Sequence, residues 1–155
     1  MNPYGGMVRL AGRTRGFAWV ASRILPPLDR PFRGRRRSPT SLGSGFPLCY
    51  LTTVGRRSGE ARTVALLHVA EGDRVILIAS NFGRRNHPGW SLNLLANSEA
   101  IVAVDGVERA MRSRLTTAEE SERYWAEALR FWPGYEGYLK RAGREIRLFV
   151  LEPSE

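Results

Sequence analysis

Residues 48–80 read LCYLTTVGRRSGEARTVALLHVAEGDRVILIAS, and the punctuation of this stretch decides the fold. Leu48–Val54 is an apolar, β-branched run that ends at a glycine, and Gly55–Gly59 is a tight connection. Arg62–Ala70 and Arg74–Ser80 are two further strand candidates, joined around Glu71-Gly72-Asp73 as a hairpin. Strand follows strand with no helix between them, so the parallel βαβ rhythm of a dinucleotide-binding fold is absent.

Downstream the alternation continues. Asn81–Pro88 is a polar loop, and Trp90–Ala96 makes a short helix presenting Trp90, Leu94 and Leu95. Ala100–Val104 and Val107–Leu115 are strands joined by Asp105-Gly106, a strong two-residue hairpin signal. Thr117 with Glu120 three positions later forms a capping box opening a helix over Ala118–Phe131, which Pro133-Gly134 stops. Tyr135–Arg141 reads as a further short helix and Glu145–Leu151 as a closing strand. Six strands, mostly hairpin-connected, with three or four helices predict an α+β fold. Its centre is a mainly antiparallel six-stranded β-barrel with peripheral helices.

Upstream the chain changes character. Met7, Leu10, Ala11, Phe17, Val20, Ala21 and Ile24 trace a helical stripe that Pro26-Pro27 ends, and 33–37 is a basic loop. Residues 1–46 are therefore set apart as a basic N-terminal helix and linker, and 47–155 as the barrel domain.

Composition narrows the function classes. A chain of 155 residues is one domain as a prior. One cysteine, Cys49, and two histidines exclude an internal disulfide, a zinc finger and an iron–sulfur site. No apolar run approaches the roughly 18 residues of a membrane span, and the first residues lack a signal-peptide pattern, so a cytoplasmic protein is expected. The net charge is +9, and residues 1–62 carry twelve arginines against only Asp29 and Glu60. Such a balance implies an anionic partner: nucleic acid, an acidic membrane surface or a phosphorylated cofactor.

Four constellations could carry chemistry. In Gly55-Arg-Arg-Ser-Gly59 with Arg62, turn N–H groups, the Ser58 hydroxyl and three guanidiniums can converge on an anion, although an ordinary hairpin turn fits the same spacing. Small and amide-bearing residues in Ala79-Ser-Asn-Phe-Gly83 let a flat ring approach the backbone, or simply close a strand. His87-Pro-Gly-Trp90 with Asn93 could wall a pocket, or Trp90 could be core. Tyr135 and Tyr138, three apart, share a helix face and could line a substrate pocket or pack inside. No Ser-His-Asp unit, Cys-His unit or carboxylate pair stands out, so a bound cofactor would carry the reactive atom of any enzyme built on this chain.

Taken together, Leu51-Thr-Thr-Val-Gly-Arg-Arg-Ser-Gly-Glu-Ala-Arg-Thr-Val-Ala-Leu-Leu, Ile78-Ala-Ser-Asn-Phe-Gly and His87-Pro-Gly-Trp-Ser-Leu-Asn-Leu-Leu-Ala-Asn resemble the deazaflavin-dependent nitroreductase family. Asp105-Gly, Trp132-Pro-Gly-Tyr and Phe149-Val-Leu-Glu-Pro follow in the same order, and the resemblance spans residues 38–153. It implies a split β-barrel that binds coenzyme F-420, with an anionic tail and phosphate held by Arg56, Arg57, Ser58, Gly59, Glu60 and Arg62. The ring would lie along Val64, Ala65 and Leu66 against Ser80, Asn81, Phe82 and Gly83, with Trp90 and Asn93 nearby. Tyr135 and Tyr138 would face the substrate, and no metal is implied. The implied reaction is hydride transfer to an enone, quinone or nitro-compound. Ala65, Leu67 and Ser91 replace residues frequent in the family, which leaves the substrate open.

Two alternatives accompany this reading: FMN in the same barrel, or a non-catalytic F-420-binding protein anchored peripherally to a membrane through residues 7–37. A homodimer is compatible with the fold, and no specific nucleic acid partner is expected.

Overall fold

A computed structural model describes residues 47–154. The expected N-terminal helix, the basic loop and the membrane-contact segment lie outside these residues. Three hairpins build most of the barrel. β1 (Leu48–Val54) pairs with β2 (Ala61–Glu71) from Leu48↔Leu67 to Val54↔Ala61. β2 turns at Gly72 into β3 (Arg74–Ile78), and β4 (Glu99–Val104) turns into β5 (Val107–Leu115). At this second turn Asp105 and Gly106 both have positive φ (50° and 80°), the backbone that a two-residue primed turn requires.

The last strand, β6 (Leu148–Pro153), inserts between β3 and β5 with registers Val75↔Leu151 and Ser113↔Leu151. β1 pairs with β4 on its other side, closing an antiparallel barrel in the order β1-β2-β3-β6-β5-β4. β6 begins at Leu148, three residues later than the sequence pattern suggests. The reason is that Arg144 and Arg147 serve the loop after β3 instead, with the Arg147 carbonyl accepting from Ala79 N at 2.9 Å.

Three helices decorate the barrel among the described residues: α1 (Gly89–Ala96), α2 (Ala118–Phe131) and α3 (Gly134–Ala142). The capping box of α2 forms as expected: Thr117 Oγ1 accepts from Glu120 N at 3.2 Å, and Thr117 N donates to Glu120 Oε2 at 2.9 Å. None of these helices is long and apolar enough to cross a membrane.

Alternation along the strands creates two cores. Cys49, Leu51, Leu77, Val102, Met111, Phe149 and Leu151 fill the barrel, and Trp90 and Leu94 of α1 belong to the same cluster. Ile76, Ile78, Leu148 and Val150 belong to a second cluster, packed with Tyr124, Ala128, Tyr135, Tyr138 and Ala142 of α2 and α3. β6 is thus buried on both faces, and each large side chain it removes from water contributes about 1.5–3 kcal/mol. Tyr124 Oη donates to Glu71 Oε2 at 2.6 Å, tying α2 to the β2–β3 hairpin.

Candidate functional site

Among the described residues, β2 has a second strand neighbour along only part of its length. β2 is paired with β1 along Ala61–Leu67, but its pairing with β3 runs only from His68↔Leu77 to Glu71↔Arg74. β3 ends at Ile78 and the chain bends away, so Ala61–Leu67 has no second strand neighbour among the described residues. Val64 and Leu66 pack against the barrel core, while Ala65, on the other face, lies opposite Tyr50.

One end of this open edge is the arginine turn. Gly55 N donates to Glu60 O and Gly59 N to Gly55 O, both at 2.8 Å, and Gly59 takes φ +71°. A Cβ on Gly55 would lie 2.5 Å from Ser58 Oγ and 3.3 Å from the Glu60 carbonyl, so a larger residue there would have to displace the Ser58 hydroxyl. Ser58 Oγ accepts from Glu60 N at 3.2 Å. Arg62 donates to Glu60 at 2.9 Å, and both side chains are more than half exposed, so this pair adds little stability. It does cancel one of the three positive charges. Arg56 and Arg57 are exposed and carry no carboxylate partner among the described residues.

Just past the end of β3 the chain forms the turn Asn81–Gly83. Asn81, Phe82 and Gly83 have φ values of 46°, 56° and 76°, three consecutive left-handed residues. Asparagine adopts this conformation readily, whereas for phenylalanine it is strained. Gly83 is obligatory, because an added Cβ would come within 2.9 Å of Tyr138 Cα. Ser80 is buried and its carbonyl accepts from Gly83 N at 2.9 Å. Asn81 Nδ2 donates to Asn86 O at 2.9 Å, and Phe82 meets Tyr138 edge-on at 6.1 Å between centroids.

Four further side chains expected at the site make well-defined contacts with the barrel and helices. Asn93, on α1, accepts from Arg56 N at 3.1 Å and donates to Thr53 Oγ1 at 3.0 Å, so its amide clasps the arginine turn to the barrel. Trp90 is 7% exposed and stacks edge-on against Phe149 at 5.6 Å, closing the barrel core rather than walling an open pocket. Tyr135 and Tyr138 are 4% and 2% exposed, beneath the helices rather than on an open face. Trp132 Nε1 donates to Tyr138 Oη at 3.3 Å. Burial pushes both phenols above the usual tyrosine range, so they stay protonated. His68 is buried, and desolvation holds its imidazole below its ordinary value.

Two contributors escape the sequence pattern. Thr53 is an ordinary strand residue until Asn93, forty positions away, reaches it. Arg144 falls within no motif. The glycine at 143, at φ +60°, was the available sign that α3 ends there and turns the chain toward the loop.

Among the described residues, the arginine turn carries two exposed guanidiniums without a carboxylate partner, and no acid–base pair lies beside it. The family model described as F-420H(2)-dependent quinone reductase matches residues 32–153. The F-420H(2)-dependent quinone reductase Rv1261c of Mycobacterium tuberculosis is 29% identical over 141 residues, covering 85% of this chain and 91% of that one. Among solved structures, an F-420-H2 dependent reductase (FDR-A) superposes with a TM-score of 0.63 at 32% identity, over 68% of this chain and 94% of that one. Another, described as a domain-swapped dimer, gives 0.62 at 34% identity, over 68% and 80%. The cofactor of this family is F-420, so the FMN alternative is not needed. The chain belongs to the F-420H(2)-dependent quinone reductase family, split-barrel oxidoreductases that work with coenzyme F-420.

Proposed function

We propose that the seam between the Ala61–Leu67 edge of β2 and the Ser80–Gly83 turn seats the deazaflavin ring, and that the Gly55–Arg62 turn holds the tail. The reaction is hydride transfer to a quinone-type acceptor, the chemistry of the family. Bound reduced F-420 supplies the hydride. The acceptor takes that electron pair, and solvent supplies the accompanying proton, since no titratable pair in the described site does so.

The residues of this chain then bind and orient. Arg56 and Arg57 neutralise tail charge, each charge-assisted hydrogen bond contributing about 1.5–3 kcal/mol. Val64, Ala65 and Leu66 offer an apolar floor with unpaired strand N–H and C=O groups beside it. Ser80, Asn81, Phe82 and Gly83 form the opposite wall. Tyr138, and Tyr135 packed edge-on against it at 5.8 Å, support that wall from behind. Asn93 holds the turn, and Trp90 keeps α1 seated. Enones and nitro-compounds are the further acceptors to try.

The observation that carries this reading is the pair of exposed arginines, without a carboxylate partner among the described residues, continuous with a strand edge that those residues leave open. Titrating the protein with oxidised F-420 by fluorescence, and following F-420H2 consumption with menadione, tests it. Saturable micromolar binding, lost on replacing Arg56 and Arg57 together by Ala, is expected; no saturable binding in the native protein overturns it. The similar domain-swapped dimer makes a homodimer the assembly to check by light scattering.

A further inference from the structure

The guanidinium of Arg144 does not pair with any carboxylate among the described residues. It is spent on backbone. Nε donates to Arg84 O at 3.2 Å, and Nη2 lies 3.2 Å from each of the Ala79, Ser80 and Asn86 carbonyls. Nη1 donates to Glu145 O at 3.0 Å and faces His87 Nδ1 at 3.3 Å. Apart from the Glu145 carbonyl, these acceptors come from both ends of the segment between β3 and α1, where Ser80 O also accepts from Gly83 N and Asn86 O from Asn81 Nδ2. The left-handed Gly143 ends α3 and delivers Arg144 to this position. Burial and the neighbouring Arg147 and Arg144 cations hold His87 below its ordinary value, consistent with a neutral ring accepting at Nδ1.

We infer that Arg144 is a positioning residue for cofactor binding: its planar fork gathers the carbonyls of residues 79–86 and fixes the strained Asn81–Gly83 turn in the shape that receives the ring. This rests on the ring seat proposed above. A lysine cannot substitute, because a single ammonium does not reach carbonyls spread across a guanidinium plane. The turn needs such a clamp because three left-handed residues in succession would otherwise relax.

The test is Arg144→Lys, with Phe82→Ala as an independent probe of the seat. In the ligand-free protein, amide exchange in Arg144→Lys accelerates over residues 79–87 and stays unchanged in β5 and α2. The KM for F-420H2 rises about tenfold, the equivalent of one charge-assisted hydrogen bond, while kcat at saturating cofactor stays within about twofold. Unchanged exchange in the loop, exchange rising throughout the barrel, or a faster loop with unaltered KM each overturns the inference. Phe82→Ala separates the causes. If it raises the KM while Arg144→Lys does not, only the role of Arg144 falls; if neither variant moves it, the ring seat falls as well.

Discussion

Replacing Asn93 by Ala isolates the contact that joins the arginine turn to the barrel. Asn93 is 7% exposed and uses both ends of its amide, accepting from Arg56 N and donating to Thr53 Oγ1. Losing two net hydrogen bonds removes about 1–3 kcal/mol. Thr53 is 2% exposed, so its hydroxyl is left with no water to replace the lost donor. The expected destabilisation is therefore about 2–4 kcal/mol, measured by urea unfolding. Freed from its anchor, the turn should also bind F-420 about tenfold more weakly. The partner residue gives a second handle. Thr53→Val strands the Asn93 N–H instead, so the double variant should be less destabilised than the sum of the two singles by about 1 kcal/mol or more. Strict additivity, or a single-variant effect below about 0.5 kcal/mol with unchanged affinity, would refute the clasp.

Three further outcomes follow from the geometry. Gly83→Ala meets Tyr138 at 2.9 Å at φ +76°, whereas Gly72→Ala, at φ +61°, meets nothing within 4 Å. Gly72→Ala should cost about 1–2 kcal/mol from backbone conformation alone, and Gly83→Ala clearly more, in the same unfolding assay. Removing Arg56 and Arg57 should flatten the salt dependence of F-420 binding more than removing Arg62, which Glu60 already neutralises; equal effects would contradict the charge assignment. The Arg114 guanidinium, at 2.8 and 2.9 Å, and the Thr117 amide hold the Glu120 carboxyl down at about 2. A depressed carboxylate stabilises the fold above its unfolded value and loses that contribution as pH falls through the folded one. Stability should thus drop between about pH 4.5 and pH 2, and Glu120→Gln should flatten that segment of the profile.

Local signals located most of the elements. β1, β5 and α2 have the bounds their sequence patterns suggest, because each is delimited by chemistry acting within a few residues: a glycine after Val54, the Asp105-Gly106 turn, the Thr117–Glu120 box. The start of β6 was misplaced because 145–147 alternates like a strand, and only contact with the 79–87 loop shows its other use. Within the site, the arginine turn was legible because its glycines and charges are contiguous. The roles of Asn93, Trp90 and the tyrosines were not, since burial depends on what packs over a side chain from distant segments.

From the sequence by itself came an antiparallel barrel, a basic turn between its first two strands, and a family that works with coenzyme F-420. Of the +9 charge, Arg56 and Arg57 stand exposed on that turn, while the nine arginines before residue 38 lie outside the described residues. Only the tertiary structure decided where the barrel opens. β2 loses its second strand neighbour on the N-terminal side of His68, and the insertion of β6 between β3 and β5 and the clamps by Asn93 and Arg144 join residues more than thirty positions apart. Such contacts leave no local periodicity, because their geometry exists only once the loops between them have closed.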